Sequence, residues 1–321
     1  MNTIIEKSDY IFVIPVFNDW ESLSLLIQNI NIQFIATNRL TYLIVNDSSN
    51  EIVPPDFNDN NENNLIIIEL NRNMGHQKAI AIGLAYASEN LNADKIIVMD
   101  SDGEDSPKDI LRLIEKSNYF NGIIFARRAR RSEGLLFSLL YFFYKVTFNV
   151  LTGKKISFGN YSLLPKKYLN KIVQVPDIWN HFSGGVIKSG LPYTSIDTNR
   201  GIRYFGASKM SFTNLILHGL SAVSVHADLM AIRLIIFSFI LIIVNIIAIV
   251  TVFCVRMFTT LAVPGWATLT ILTLGIVLFL SILLGLILLF NILTLKTQKS
   301  IIPARDYSDF IFDIKINNLN E

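Results

Sequence analysis

Ile96-Ile97-Val98-Met99-Asp100-Ser101-Asp102 is the stretch that decides the fold of this chain. Four apolar residues read as a buried strand, and two carboxylates one residue apart stand where it ends. A short apolar run between helical patterns is a central strand of an α/β sheet, and ligands of such sheets bind beyond the carboxyl ends of the strands. Two acids so close repel each other unless a cation lies between them. Hard divalent ions take carboxylate oxygens and keep substrate phosphates as further ligands, so the stretch points to a metal–diphosphate site. The same spacing also serves turns and helix caps.

Working outward, the same grammar repeats. Tyr10–Val16 is an apolar run ending at Pro15, followed by Phe17-Asn18-Asp19 and a helical pattern from Glu21 to about Phe34. Leu40–Val45 is a second strand, ending in Asn46-Asp47-Ser48-Ser49-Asn50. Leu65–Glu69 is a third, followed by Asn71-Arg72-Asn73-Met74-Gly75 and a helix from about Gln77 to Glu89. This alternation implies right-handed βαβ units and a mostly parallel sheet. Strand ends of a parallel sheet share one edge, so Asp47, Arg72, Asp100 and Asp102 converge on one crevice. Gly75 either admits a ligand close to backbone or ends a turn.

Of the 321 residues, 51% are hydrophobic, and the excess is concentrated near the C-terminus. Ile232–Val255 and Leu269–Leu293 are almost continuously apolar, each long enough for the roughly 20 residues that span a bilayer. The short connection Arg256–Thr268 holds Pro264-Gly265, so the two spans form a hairpin with its flanks on one side. Arg200, Arg203, Lys209 and Arg233 precede it and Lys296, Lys299 and Arg305 follow, which places both flanks in the cytoplasm. Met1–Asp9 is polar and mixed in charge, unlike a signal peptide. The single cysteine, Cys254, excludes an intrachain disulfide, and a net charge of +2 gives no argument for nucleic acid.

The ordered set resembles the family 2 glycosyltransferases of GT-A fold, and within them the membrane-anchored polyprenyl-phosphate glycosyltransferases related to dolichyl-phosphate mannose synthase. The resemblance rests on Ile14-Pro15-Val16-Phe17-Asn18, Val45-Asn46-Asp47-Ser48-Ser49, Arg72-Asn73-Met74-Gly75 with Ala79 and Gly83, and Met99–Pro107. It continues through Arg128 and Arg131, Phe143-Tyr144, Gly159–Leu164, and Arg200-x-x-Arg203-x-x-Gly206-x-Ser208-Lys209. It implies an α/β GT-A domain over 1–209 and a juxtamembrane amphipathic segment over 210–231. Two transmembrane helices follow within 232–295 (about 232–255 and 269–293), then a cytoplasmic tail over 296–321.

By resemblance, Pro15, Asn18, Asp47, Arg72, Gly75, Asp100 and Ser101 bind the donor, with Asp47 on the nucleotide base. Asp100 and Asp102 hold Mg²⁺ or Mn²⁺ on the donor diphosphate, a Lewis-acid role. Arg128, Arg131, Arg200, Arg203 and Lys209 handle phosphate of the leaving group or of a lipid acceptor. Attraction to an anionic membrane surface, about 1 kcal/mol per residue, also accounts for basic residues there. Asp102, Asp105 and Asn160 are the catalytic candidates, Asp105 serving either as a base or as the cap of a helix beginning at Pro107.

Two positions depart from the pattern. Asn46 stands where the family usually has an acid, and Asn160 where lipid-phosphate members usually carry Asp. Asparagine cannot accept a proton, which a hydroxyl acceptor requires; a phosphate acceptor is already anionic.

Phe137–Phe148 reads as core or as an interfacial helix, and Met210–His226 as an amphipathic segment in the interface plane. Trp179, His181 and Phe182 either face an acceptor or are structural, and the lone His76 and His218 read as non-catalytic. The function implied is an inverting, metal-dependent hexosyltransferase. It moves a sugar from a nucleotide-sugar to polyprenyl (undecaprenyl) phosphate at the cytoplasmic face of the inner membrane, for cell-surface polysaccharide biosynthesis or modification. Its partners are that donor, the lipid acceptor, the bilayer and a further copy of itself. The alternatives are a transferase of the same fold acting on a hydroxyl of a lipid-linked glycan, and a non-catalytic membrane subunit.

Overall fold

Seven apolar residues, Tyr10–Val16, form strand β1, buried along its whole length at the centre of the sheet. Around it the computed structural model describes residues 9–34, 39–54, 57, 64–128, 149, 150, 153, 159–206, 220, 221, 223–259 and 265–317. The described chain divides into two units, one comprising the residues up to 128, 159–225 and 300–317, the other 149, 150, 153 and 226–299.

In the first unit, β1 is followed by helix α1 (Trp20–Gln33), β2 (Leu40–Asn46), β3 (Asn64–Leu70), helix α2 (His76–Asn90), β4 (Lys95–Val98) and helix α3 (Lys108–Tyr119). Then come β5 (Ile123–Arg128), β6 (Ser162–Pro165), helix α4 (Lys166–Ile172), helix α5 (Phe182–Ser189), β7 (Tyr193–Thr198) and β8 (Ile311–Asn317). The sheet order is β7-β5-β6-β4-β1-β2-β3-β8. β4, β1, β2 and β3 are mutually parallel, while β6 and β8 run against their neighbours. The architecture is the mixed, mostly parallel α/β sheet expected from the strand–helix alternation.

Side chains alternate across such a sheet, and both faces are covered. Ile11, Val13, Leu43, Val45, Ile66 and Ile68 face α2, whereas Tyr10, Phe12, Ile14, Tyr42, Ile44 and Ile67 face the side of α1 and α3. Gly83 lets α2 approach closely, because a Cβ there would stand 2.6 Å from Val13 Cγ1 and 2.8 Å from Val45 Cγ2. Pro15 is tolerated inside β1 because β4 pairs with that strand only as far as Val13. It lies buried within the strand rather than in the loop beyond it.

Within the stretch expected as a tail, residues 300–317 belong to the first unit. Tyr307 packs edge-on against Tyr86 of α2, its hydroxyl accepting from Asn90 at 3.1 Å, and the Phe310 ring lies tilted against Trp179 at 4.8 Å. β8 then pairs antiparallel with β3. The apolar alternation of Phe312, Ile314 and Ile316, short and interrupted by charge, is what composition alone passes over.

The second unit holds helices α6 (Ala227–Phe258) and α7 (Trp266–Thr297), packed as a hairpin. Both are long and apolar enough to cross a membrane, and only 11% and 6% of their most apolar windows is buried, unlike the core helix of a soluble protein. Ser238 donates to the carbonyl of Ser281, and Gly285 leaves room for the Ser238 hydroxyl. Small residues at the crossing let the backbones approach. The helices exceed the expected 232–255 and 269–293 by several residues at most ends. Residues 149, 150 and 153 group with this unit rather than with the sheet, since Arg233 donates to the Val150 carbonyl and lies over Gly153. Phe137–Phe148 and most of 210–226 lie outside the described residues.

Gly83→Leu is expected to destabilise the sheet unit by about 1–3 kcal/mol through overpacking between α2 and the β1–β2 pair. Thermal unfolding of the purified protein checks this, the variant showing a lower midpoint than Gly159→Leu, where a side chain meets open space.

Candidate active site

Each loop that closes the carboxyl edge of the sheet is pinned by its own polar residues. Asn18 and Ser48, the non-glycine residues with positive φ among those described (51° and 58°), face each other across β1 and β2. Ser49 Oγ accepts from the Asn18 amide at 2.9 Å, and Asn18 Oδ1 accepts from the Asn50 amide at 2.8 Å. Sparsely populated backbone held by surrounding hydrogen bonds is a mark of a functional edge.

Asn46 fits for a local reason: its amide donates to Glu69, its cross-strand neighbour, where an acid would meet another acid. Asp47 is buried, and its two oxygens accept the amides of Met74 at 2.6 Å and Gly75 at 2.9 Å. Burial pushes its carboxyl upward, against the opposing pull of those two amides, His76 and Lys78. Asp47 thus latches the loop that starts α2. Gly75 serves that turn, with φ of 88° and open space where a Cβ would stand. Arg72 is exposed at the end of β3.

After β4 the chain turns sharply, and four acids lie within six residues. Asp105 Oδ2 accepts the Asp100 amide at 3.0 Å, and Asp102 Oδ1 accepts the Glu104 amide at 2.9 Å. Asp105 therefore braces the turn from within, and Pro107 stands at the N-cap of α3 without a side-chain bond. The cap expected of Asp105 is not formed, because its carboxylate is already engaged on the other side of the turn. Ser101 is buried in the same turn.

Four cations from three separate parts of the chain meet these acids. His76 Nε2, at the start of α2, lies 3.1 Å from Asp100 Oδ1. Arg128, at the end of β5, lies 3.4 Å from both Glu104 and Asp105. Arg200 forms a two-pronged pair with Glu104 at 2.9 and 2.6 Å. Arg203 bridges Asp102 at 2.8 Å and Asp19 at 3.0 Å. The segment carrying the last two lies on the acidic turn itself: Gly201 donates to the Glu104 carbonyl and Tyr204 to that of Asp102. The Tyr204 ring covers Gly103, whose φ of 83° and missing Cβ leave it room.

The acids remain crowded. Burial, followed by the Asp100 carboxylate, pushes Asp102 up to about 6. The same two causes raise Asp105. Burial opposes charge on His76, but the carboxylates of Asp100, Asp105 and Asp102 outweigh it and raise its affinity for a proton.

Asn160 belongs to this edge. The β4–β6 ladder pairs Val98 with Ser162, and two residues further along both strands stand Asp100 and Asn160. Its side-chain oxygen is buried with no hydrogen-bond partner among the described residues. Trp179, His181 and Phe182 are structural: the two aromatics are buried, and His181 Nδ1 accepts the Gly184 amide at 3.1 Å to cap α5. Arg131, Lys209 and His218 lie outside the described residues. Sequence reasoning missed Asp19 and His76. Each sits at the start of a helix after a strand, a position that reads as a cap or as a surface residue.

Two hard carboxylates under mutual repulsion are a donor set suited to a divalent cation. Among the described residues no group of three or more His, Cys, Asp or Glu could hold a metal. Asp100 and Asp102 would supply two ligands to such an ion, and substrate oxygens and water would have to supply the others.

Paired acids beside several guanidinium groups at one sheet edge are chemistry suited to a phosphorylated ligand. The sequence profile of glycosyl transferase family 2 matches residues 11–179, just over half of the chain, and the chain belongs to that family of enzymes. It is 29% identical over 222 residues to the undecaprenyl-phosphate 4-deoxy-4-formamido-L-arabinose transferase of Photorhabdus laumondii, covering 64% of this chain and 63% of that protein. It is also 29% identical over 211 residues to an uncharacterized glycosyltransferase of Synechocystis sp., with 63% and 64% covered. The chain therefore spans somewhat under two thirds of these relatives. Among solved structures, glucosyl-3-phosphoglycerate synthase of Mycobacterium tuberculosis, in complex with Mn²⁺, UDP-glucose and phosphoglyceric acid, aligns with TM-score 0.52 at 8% identity. That alignment covers 70% of this chain and 80% of the synthase, and shows the shared GT-A fold.

The raised carboxyl of Asp102 sets a sign. Its value moves from 3.8 to about 6 on folding, so the folded state holds more protons between those values. Stability then falls as pH rises through that window. The upward shifts of Asp105, Asp47 and His76 act in the same direction. Without divalent metal, the thermal midpoint is expected to rise as pH is lowered from about 7.5 towards about 5.5. Asp102→Asn flattens that slope, and Mn²⁺ at the higher pH removes it; a midpoint that falls on acidification contradicts this electrostatic reading.

Proposed function

We propose that this enzyme transfers a sugar from a nucleotide-sugar to a polyprenyl phosphate at the cytoplasmic face of the inner membrane. The observation that carries the reading is the meeting of Arg128, Arg200 and Arg203 with the Asp100–Asp105 turn at one sheet edge. Guanidinium groups match phosphate oxygens in two-pronged geometry, and one such centre serves both a departing diphosphate and an attacking phosphate. The undecaprenyl-phosphate relatives and the two apolar helices support a lipid acceptor.

In this mechanism Asn18, Asp47 and the Met74–Gly75 turn shape the nucleotide pocket. Asp100 and Asp102 would hold a divalent ion, which when bound would offset charge growing on the leaving diphosphate. Arg128, Arg200 and Arg203 exchange their carboxylate partners for phosphate oxygens. An acceptor phosphate oxygen attacks the anomeric carbon as the bond to the diphosphate breaks, inverting the configuration. No proton has to be removed from the acceptor, so an amide at Asn160 is compatible with turnover. Orienting the two substrates face to face accounts for much of the acceleration.

A hydroxyl acceptor has one observation in its favour, the raised carboxyl of Asp105. A general base is worth typically 10²–10⁴-fold, so Asp105→Asn separates the readings.

The test is a panel of nucleotide-sugars assayed with undecaprenyl phosphate in nanodiscs. A product that releases sugar in mild acid is expected with one donor. Asp102→Ala abolishes transfer, and Arg203→Ala lowers kcat/KM by about 10²-fold or more. Asn160→Asp does not raise turnover. Transfer only to a lipid-linked glycan, lost in Asp105→Asn, replaces this reading with the hydroxyl one.

A further inference from the structure

Arg203 differs from the other cations around the acidic turn. His76, Arg128 and Arg200 pair with carboxylates of the turn itself, whereas Arg203 also pairs with Asp19, which stands between β1 and α1. Each nitrogen of its guanidinium has its own partner. Nη1 donates to Asp102 at 2.8 Å, Nη2 to Asp19 at 3.0 Å, and Nε to the Phe205 carbonyl at 3.0 Å. The three charged side chains are well covered, Asp19 being 13%, Asp102 16% and Arg203 18% exposed.

The two carboxylates are not equivalent. Asp102 Oδ1 already accepts the Glu104 amide, so Oδ2, the atom that Arg203 holds, is the freer one for a divalent cation. A guanidinium and a divalent cation on one oxygen repel each other, and one must leave. Asp19 is engaged differently. It occupies the N-cap of α1, where aspartate ordinarily accepts a helix amide, yet its side chain makes no such bond. One oxygen accepts the Ser22 hydroxyl at 2.7 Å, and the other is given to Arg203. A covered carboxylate stripped of its cation is costly, so Asp19 keeps its hold when Asp102 is taken.

We propose that Asp19 is a positioning residue. It retains the Arg203 guanidinium at the sheet edge when a divalent cation takes its place on Asp102, leaving Nη1 free to donate to phosphate. This rests on the reading of Asp100 and Asp102 as metal ligands, and it divides the exchange at Arg203: Asp102 is given up and Asp19 is kept. An arginine held by Asp102 alone would swing into water once displaced, and ordering it again on phosphate would cost side-chain entropy. Anchored through Nη2 and Nε, it stays pre-organised. The next residue is tied to the same helix, since Asn29 of α1 donates to the Tyr204 hydroxyl at 3.0 Å.

The experiment follows labelling by phenylglyoxal, which attacks unpaired guanidinium groups, on the full chain in nanodiscs, read residue by residue by mass spectrometry. Arg127, 44% exposed and paired with Asp197, is the internal standard. Arg203 is expected to react slowly in the wild-type protein with or without Mn²⁺, and slowly in Asp19→Asn without it, because one carboxylate suffices. Mn²⁺ added to Asp19→Asn raises the rate about tenfold or more relative to Arg127. Asp19→Asn combined with Asp102→Asn reacts fast with no metal present. Asp19→Glu, which keeps the carboxylate, stays slow with Mn²⁺. Asp19→Ser, whose hydroxyl caps helices well, gives the same pattern as Asp19→Asn and guards against a fold defect in that variant. Ser22→Ala removes only the bond to α1 and leaves Arg203 slow. The proposal is overturned if Mn²⁺ accelerates labelling of Arg203 equally in the wild-type protein and Asp19→Asn, or if Ser22→Ala behaves like Asp19→Asn. A fast double variant beside a Mn²⁺-insensitive Asp19→Asn overturns it together with the metal reading of Asp102, whereas a slow double variant overturns it alone.

Discussion

Like-charge crowding on one turn governs this molecule. Asp100, Asp102, Glu104 and Asp105 are brought out of bulk water together, and charged groups in such surroundings persist only when paired and hydrogen-bonded. The turn accommodates part of the charge internally, through the Asp100 and Glu104 amides. The rest is met from outside by His76, Arg128, Arg200 and Arg203, drawn from three places in the sequence. Much of the upper sheet edge is arranged to deliver those cations.

That requirement explains otherwise unrelated details. Gly103 and Gly201 carry no side chain because the Arg200–Tyr204 segment lies directly on the turn, with Gly201 against the Gly103 carbonyl. Asn29 donates to the Tyr204 hydroxyl at 3.0 Å and holds the ring from the other side. Asp47 fixes the loop that presents His76. Asn18 and Ser48 tie the neighbouring β1 and β2 loops to each other, through Ser49 and Asn50. A phosphorylated substrate and its cation enter as exchange partners, substituting for contacts already present rather than adding charge to an uncompensated site.

The return of the chain after α7 has a physical logic of its own. β3 would end the sheet with a row of open peptide groups beside Ile66 and Ile68, both buried. β8 covers that edge and is tied down by Tyr307 and Phe310 against α2 and Trp179. The edge exposure is thereby moved one strand outward, onto Phe312, Ile314 and Ile316.

The sequence by itself determined the elements with strong local signals. Runs such as Tyr10–Val16 and Ile96–Met99 cannot be other than buried strands, and the spacing of glycine, asparagine and aspartate after them marks the turns. The two long apolar helices were equally plain, because composition over more than 20 residues overrides context. That Asp100 and Asp102 stand at the same sheet edge as Asp47 follows from parallel topology alone. Only the tertiary structure decided what each polar side chain touches. Asp19 and His76 look like helix-start residues in the chain, yet Arg203 and Asp100 claim them across long sequence separations. Asp105 looks like a cap but braces the turn before it, and Ile311–Asn317 looks like a tail but is a strand. In each case the deciding partner is distant in sequence, and local propensity carries no information about a charge or a strand edge that arrives from elsewhere in the fold.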